Sequence, residues 1–103
     1  MVITVLTSME AKGLIAKHRS DPAWVILDVR TPEEFQEEHL PSAVNLDFRD
    51  PGFTEKLKSL NKEKKYLVHC HSGGRCSRAA AIMDELRFRH VYRVQGNLWE
   101  DSL

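Results

Sequence analysis

Along this chain, short β-branched or continuously apolar runs alternate with stretches whose apolar positions recur at helical spacing. Ile3–Leu6 is a β-branched run and predicts a first strand. Thr7, with Glu10 three residues later, has the form of a capping box and predicts a helix reaching to about His18. Ser20-Asp21-Pro22 reads as a turn. Trp24–Val29 is apolar throughout except for Asp28, the pattern of a strand buried on both faces in a parallel sheet. Thr31, Pro32 and Glu34 predict a short helix with a threonine cap, a proline at its first position and a glutamate reaching back. His39–Ser42 ends that helix, and Ala43–Leu46 is a short strand candidate. After the turn Asp50-Pro51-Gly52, a helix over Phe53–Leu60 places Phe53, Leu57 and Leu60 on one face. Lys65–Cys70 predicts a strand, His71–Arg75 a glycine-containing loop, Cys76–Arg87 an alanine-rich helix and His90–Val94 a last strand. Gln95–Leu103 carries no assignable pattern. Strands alternating with helices predict an α/β fold around a mostly parallel sheet.

Size and charge narrow the function classes. The 103 residues suffice for one domain, residues 1–103, and are too few for two. Fifteen Lys+Arg balance fifteen Asp+Glu, and this zero net charge argues against a nucleic-acid binder or a ligand of anionic membranes. No apolar stretch approaches the ~20 residues of a membrane span. Met1–Thr7 is apolar but too short for a secretory signal and lacks a basic segment before it. The expectation is a soluble, cytoplasmic protein, a monomer or weak homodimer. The two cysteines, Cys70 and Cys76, are too few for a disulfide scaffold and lack zinc-knuckle spacing, so no metal is expected.

The chemistry concentrates between Tyr66 and Ala80. A buried strand ends at Cys70, a short loop follows and a helix begins, and ligands of open α/β sheets bind outside the carboxyl ends of the strands. Three features favour a Cys70 thiolate: the helix N-terminus, the charges of Arg75 and Arg78, and backbone N–H groups that can turn inward where Gly73 and Gly74 permit. Such a thiolate is nucleophilic near neutral pH. The same donors form a cradle for sulfur or oxygen anions attached to it.

The segment Cys70-His-Ser-Gly-Gly-Arg-Cys76 resembles the active-site loop of the rhodanese (sulfurtransferase) family. Upstream, Asp28-Val29-Arg30-Thr-Pro-Glu-Glu34-Phe35 and His39-Leu40-Pro41-Ser42-Ala43-Val44-Asn45 resemble that family's second signature, in the right order and separation. The resemblance runs from Ile3 to about Asn97. It implies a three-layer fold, with about five strands and helices on both faces. It also implies a thiosulfate sulfurtransferase with no cofactor, in which Cys70 carries a persulfide between a small anionic sulfur donor and a thiophilic acceptor: cyanide, a thiol or a protein. The loop amides of His71, Ser72, Gly73, Gly74, Arg75 and Cys76 would bind the donor, with Arg75 holding its anionic head. Departures from the family pattern include Cys76 for a usual Ser or Thr, and Glu38, Ser42 and Arg87 for usual glycines.

Other readings compete. Cys76 is either a serine substitute or a resolving thiol that forms a disulfide with Cys70 or accepts its sulfur. Asp28 reads as a buried strand-end residue satisfying local backbone, and Arg30 as a partner of Glu34. Glu33, Glu34, Glu37 and Glu38 read as a helix start and solvated face, His39 as a turn histidine bonded to backbone. His69 and Cys70, adjacent on a strand, point to opposite faces. A Cys-loop phosphatase or arsenate reductase needs an arginine one residue later, where Cys76 stands. A sulfur-relay or non-catalytic protein-binding module is the remaining alternative.

Overall fold

The computed structural model describes residues 3–70, 74–96 and 98. Their elements run β1 (Ile3–Leu6), α1 (Ser8–Lys17), β2 (Trp24–Asp28), α2 (Pro32–Glu37), β3 (Val44–Asn45), α3 (Phe53–Lys58), β4 (Lys65–His69), α4 (Gly74–Glu85) and β5 (His90–Val94). The five strands form one sheet in the order β1-β5-β4-β2-β3, and every pair is parallel. Each return crossing is carried by a helix, as parallel pairing requires.

Both capping boxes form. Thr7 Oγ1 accepts from the Glu10 N–H at 3.1 Å while Glu10 Oε1 accepts from the Thr7 N–H at 2.9 Å. At α2, Thr31 Oγ1 accepts from the Glu34 N–H at 3.3 Å and Glu34 Oε1 accepts from the Thr31 N–H at 2.8 Å.

Strand alternation divides the core in two. Leu27 and Val29, Tyr66 and Val68, and Val91 face one side with Phe53 and Leu57 of α3 and Ala79, Ala80 and Met83 of α4. Leu67 and Val94 face the other side with Ala11 of α1 and Leu98. Cys70 continues the alternation of Tyr66 and Val68, which sets its sulfur on the α4 side. Asp28 and His69 are partners in the register of β2 and β4.

β3 and α3 are shorter than expected, at Val44–Asn45 and Phe53–Lys58, and β2 and α4 differ more consequentially. β2 is fully buried only at Leu27 and Asp28, the two positions that β3 covers, while Trp24, Val25 and Ile26 stay half-buried. α4 begins at Gly74 rather than Cys76, so Arg75 lies in its first turn, not in a loop. It ends at Glu85 rather than Arg87, because Phe88 N–H reaches Met83 C=O at 3.0 Å and Arg87 N–H reaches Asp84 C=O at 3.0 Å. These two bonds make a Schellman motif, with buried Phe88 folding back beside Met83.

Arg87 occupies the left-handed position of that motif at φ 71, and Ser42 sits at φ 68. These are two of the three departures from glycine noted above; the third, Glu38, is extended at φ -165. At Arg87 and Ser42 the backbone keeps the conformation that glycine adopts freely, at a cost of roughly 1–2 kcal/mol per L-residue. Glycine's extra unfolded-state freedom offsets part of this. Arg87→Gly is therefore expected to raise stability by about 1 kcal/mol, seen as a higher urea midpoint with unchanged slope. A lower midpoint would show that the Arg87 side chain contributes more than its backbone costs.

Candidate active site

Cys70 lies directly after β4, at the carboxyl edge of the sheet, and α4 starts four residues later. The Cys76 N–H, in the first turn of α4, donates to Cys70 Sγ at 3.2 Å. A sulfur at a helix N-terminus, in contact with one of its free amides, is a place where negative charge is favoured. Both cysteines are fully buried and neither is in a disulfide. The Cys76 thiol donates to Val94 C=O of β5 at 3.2 Å and also lies within hydrogen-bonding reach of Cys70. That bond to Cys70, then burial, then the charge of Cys70 hold Cys76 protonated well above the usual thiol range.

Arg75 projects toward α2, where its guanidinium meets Glu34: Nη1 to Oε1 at 2.7 Å and Nη2 to Oε2 at 3.1 Å. Glu34 thus has two tasks, closing its own capping box and holding Arg75. The bonds from Arg75 are the main reason the Glu34 carboxyl is lowered from 4.5 to about 2. Arg75 is correspondingly held charged, first by Glu34 and also by the fields of Cys70 and Asp47.

The frame beneath is built from the other signature. Asp28 is fully buried, and Arg30 is almost so. Arg30 Nε lies 3.0 Å from Asp28 Oδ1 and Nη2 lies 2.8 Å from Oδ2, while Nη2 also donates to Glu38 C=O at 2.6 Å. Asp28 Oδ1 accepts the Arg30 backbone N–H at 3.0 Å, as a strand-end aspartate satisfying local backbone. Asn45 Nδ2 donates to Asp28 C=O at 3.0 Å and Arg30 C=O at 2.9 Å, fixing the same bend from β3. The Asp28–Arg30 pair therefore anchors the C-terminus of α2, and Glu34 near its N-terminus holds Arg75.

The expected Arg30–Glu34 pair does not form. Arg30 precedes the helix start, so helical spacing does not bring it to Glu34, and Asp28 two residues back takes its place. His39 stacks on Phe35 with centroids 3.9 Å apart and its Nδ1 lies 2.7 Å from Phe35 C=O, the backbone-bonded turn histidine expected. His69 is fully buried with Nε2 3.6 Å from Asp28 Oδ2, on the face of the sheet away from Cys70. Burial, against the opposing field of Asp28, pushes its pKa down from 6.5 to about 4, so it is neutral at pH 7. Gly74, Arg75 and Cys76 form the first turn of α4, of which the Cys76 N–H contacts Cys70, while His71, Ser72 and Gly73 lie outside the described residues. Arg78 is exposed one turn on. Glu34 was not singled out as a site residue: its partner is 41 positions away, and only the adjacency of β2 and β4 in the sheet points to the contact. A cavity of about 380 Å³ lies elsewhere, lined by Leu14, Trp24 and Leu67 among others, and neither Cys70 nor Arg75 borders it. No described helix is long and apolar enough to cross a membrane.

The chain is similar to several known proteins. YtwF of Bacillus subtilis, provisionally named a sulfurtransferase, is 32% identical over 97 residues, covering 92% of this chain and 91% of that protein. The tRNA uridine(34) hydroxylase of Cytophaga hutchinsonii is 40% identical over 79 residues, covering 72% of this chain and 25% of that protein. The chain spans about a quarter to a third of the length of the hydroxylases it matches. A rhodanese-like domain protein from Staphylococcus aureus superposes with a TM-score of 0.77 at 27% identity, covering 96% of this chain and 93% of that one. The model of the rhodanese-like domain matches residues 11–99. With that match taking in both signatures and the α/β scaffold between them, the chain belongs to the rhodanese-like family.

Proposed function

We propose that this protein is a sulfurtransferase that moves sulfane sulfur through a persulfide on Cys70. One observation carries the reading: the Cys70 sulfur sits at the N-terminus of α4 and receives the Cys76 amide at 3.2 Å, with the Arg75 guanidinium held alongside by Glu34. The arrangement supplies a nucleophile, a fixed donor for its negative charge and a cation for an anionic substrate.

With thiosulfate as donor, the Cys70 thiolate attacks the outer sulfur, the donor's S–S bond breaks and sulfite leaves with its electron pair. The extra sulfur remains on Cys70 as a persulfide anion. Cyanide, a thiol or a protein thiolate then attacks that outer sulfur and restores the Cys70 thiolate. The cycle is redox-balanced and needs no cofactor. A cytoplasmic setting, with thiols as natural acceptors, fits this chemistry.

Arg75 engages Glu34 through two of the five N–H donors of a guanidinium, and we assign the others to the donor's sulfonate head. Arg75→Ala is expected to lower kcat/KM for thiosulfate roughly tenfold, the loss of about 1.4 kcal/mol of charge-assisted bonding. The loss should appear mainly in KM, measured as thiocyanate formation across donor concentrations. An unchanged rate at every concentration would remove Arg75 from the anion site, and no thiocyanate from the unsubstituted protein would count against the thiosulfate reading itself.

Phosphatase chemistry is less favoured, since position 76 offers a buried thiol where the oxyanion-binding arginine of that longer loop would be needed. The tRNA hydroxylases share this domain, and a charge-balanced chain gives no independent reason to extend their RNA substrate to it.

A further inference from the structure

The mechanism above uses the Cys76 amide but leaves its thiol without a task. That thiol is fully buried beside the nucleophile, donates to Val94 C=O at 3.2 Å and lies within hydrogen-bonding reach of Cys70 Sγ. A serine hydroxyl could make the same hydrogen bonds. Only a thiol can also exchange with a neighbouring sulfur.

We propose that Cys76 is a second catalytic thiol, which resolves the Cys70 persulfide by attacking Cys70 Sγ and releasing the transferred sulfur as hydrosulfide. The inference rests on the persulfide reading and adds the fate of the sulfur. In the step, the Cys76 Sγ–Cys70 Sγ bond forms and the bond from Cys70 Sγ to the outer sulfur breaks. The outer sulfur leaves with the bonding pair, and the Cys76 proton goes with it, giving HS⁻. Persulfide anion plus thiol becomes disulfide plus hydrosulfide: the outer sulfur is reduced, the Cys76 sulfur is oxidised, and Cys70 Sγ exchanges one S–S bond for another. A dithiol, of the small-molecule or protein class, then reduces the disulfide and resets the site.

The environment orders these events. While Cys70 is a thiolate, its hydrogen bond and its charge keep the proton on Cys76, so the pair holds one nucleophile. Once Cys70 carries the extra sulfur, the negative charge moves outward by one atom and the inner sulfur becomes an electrophile. Two of the causes that held the Cys76 proton are then weakened together. The Cys76 side chain must give up Val94 C=O to reach disulfide distance, and the loss of one neutral hydrogen bond is a small barrier.

The test is a single turnover without external thiol and without oxygen. Reduced protein and its Cys76→Ser variant are treated with thiosulfate, freed of excess donor, and followed by intact mass and by hydrosulfide release. The unsubstituted protein is expected to release one hydrosulfide per chain and to end two hydrogens lighter than the reduced form. Cys76→Ser is expected to keep its extra sulfur and to release hydrosulfide only when dithiothreitol is added. If both proteins keep the extra sulfur equally long, the persulfide reading stands and the role of Cys76 is overturned. If neither gains sulfur from thiosulfate or from an inorganic polysulfide, the persulfide reading fails and this step fails with it.

Discussion

Cys70→Ser is expected to abolish sulfur transfer to the level of the uncatalysed reaction. A serine hydroxyl at this position keeps the Cys76 amide as a partner, but it does not ionise near neutral pH and forms no persulfide. Removing the nucleophile of a covalent mechanism costs far more than removing any one group that assists it. The fold should survive, because the position accepts polar contacts from α4 and the change alters little volume. A stability loss of roughly 1–2 kcal/mol is expected, from placing a hydroxyl in a fully buried site. The two readouts separate chemistry from folding: thiocyanate formation should vanish while the urea transition stays cooperative. Persistent turnover in a folded Cys70→Ser protein would place the nucleophile elsewhere.

Asp28→Ala is expected to have the largest effect on stability, a loss of roughly 3–5 kcal/mol. Asp28 is fully buried and faces Arg30, which is nearly so. Removing the carboxylate leaves a buried guanidinium with its principal anion gone, and deprives the Arg30 backbone N–H of its acceptor. Against a total stability of about 5–15 kcal/mol for a domain of this kind, that is a large fraction. The consequence extends to function, since Arg30 also holds Glu38 C=O at the end of α2, and α2 carries the Glu34 that holds Arg75. Urea titration provides the measurement. A loss below about 1 kcal/mol would show that Arg30 finds water or another anion when Asp28 is gone.

The features legible in the sequence were those set by near neighbours. Thr7 with Glu10 and Thr31 with Glu34 are three residues apart, so local geometry alone specifies their capping boxes. The strand at Lys65–His69 was visible because a parallel strand covered on both faces needs an apolar run, and Tyr66, Leu67 and Val68 supply it. The start of α4 is hidden in the sequence because Gly74 reads as loop, although a glycine in a first turn costs little when the helix behind it is rich in alanine.

The site was legible as a pair of motifs, but not as a connected frame. The sequence suggests Glu34 as the partner of Arg30, whereas the buried carboxylate of Asp28, two residues back, takes that place. The Glu34–Arg75 contact spans 41 positions and depends on β2 and β4 being neighbours. No periodicity carries that information. The sequence leaves the role of the Cys76 thiol open, and the structure buries that thiol beside Cys70 with its hydrogen bond directed to Val94 C=O.

The most direct measurement of the central claim is the intact mass of the reduced protein and of Cys70→Ser immediately after mixing with thiosulfate, before and after cyanide. The account predicts that only the protein with Cys70 gains one sulfur atom at first, mapped by peptide analysis to Cys70, and that cyanide removes it as thiocyanate. Equal sulfur uptake by Cys70→Ser, or uptake mapped to Cys76 alone, would contradict it.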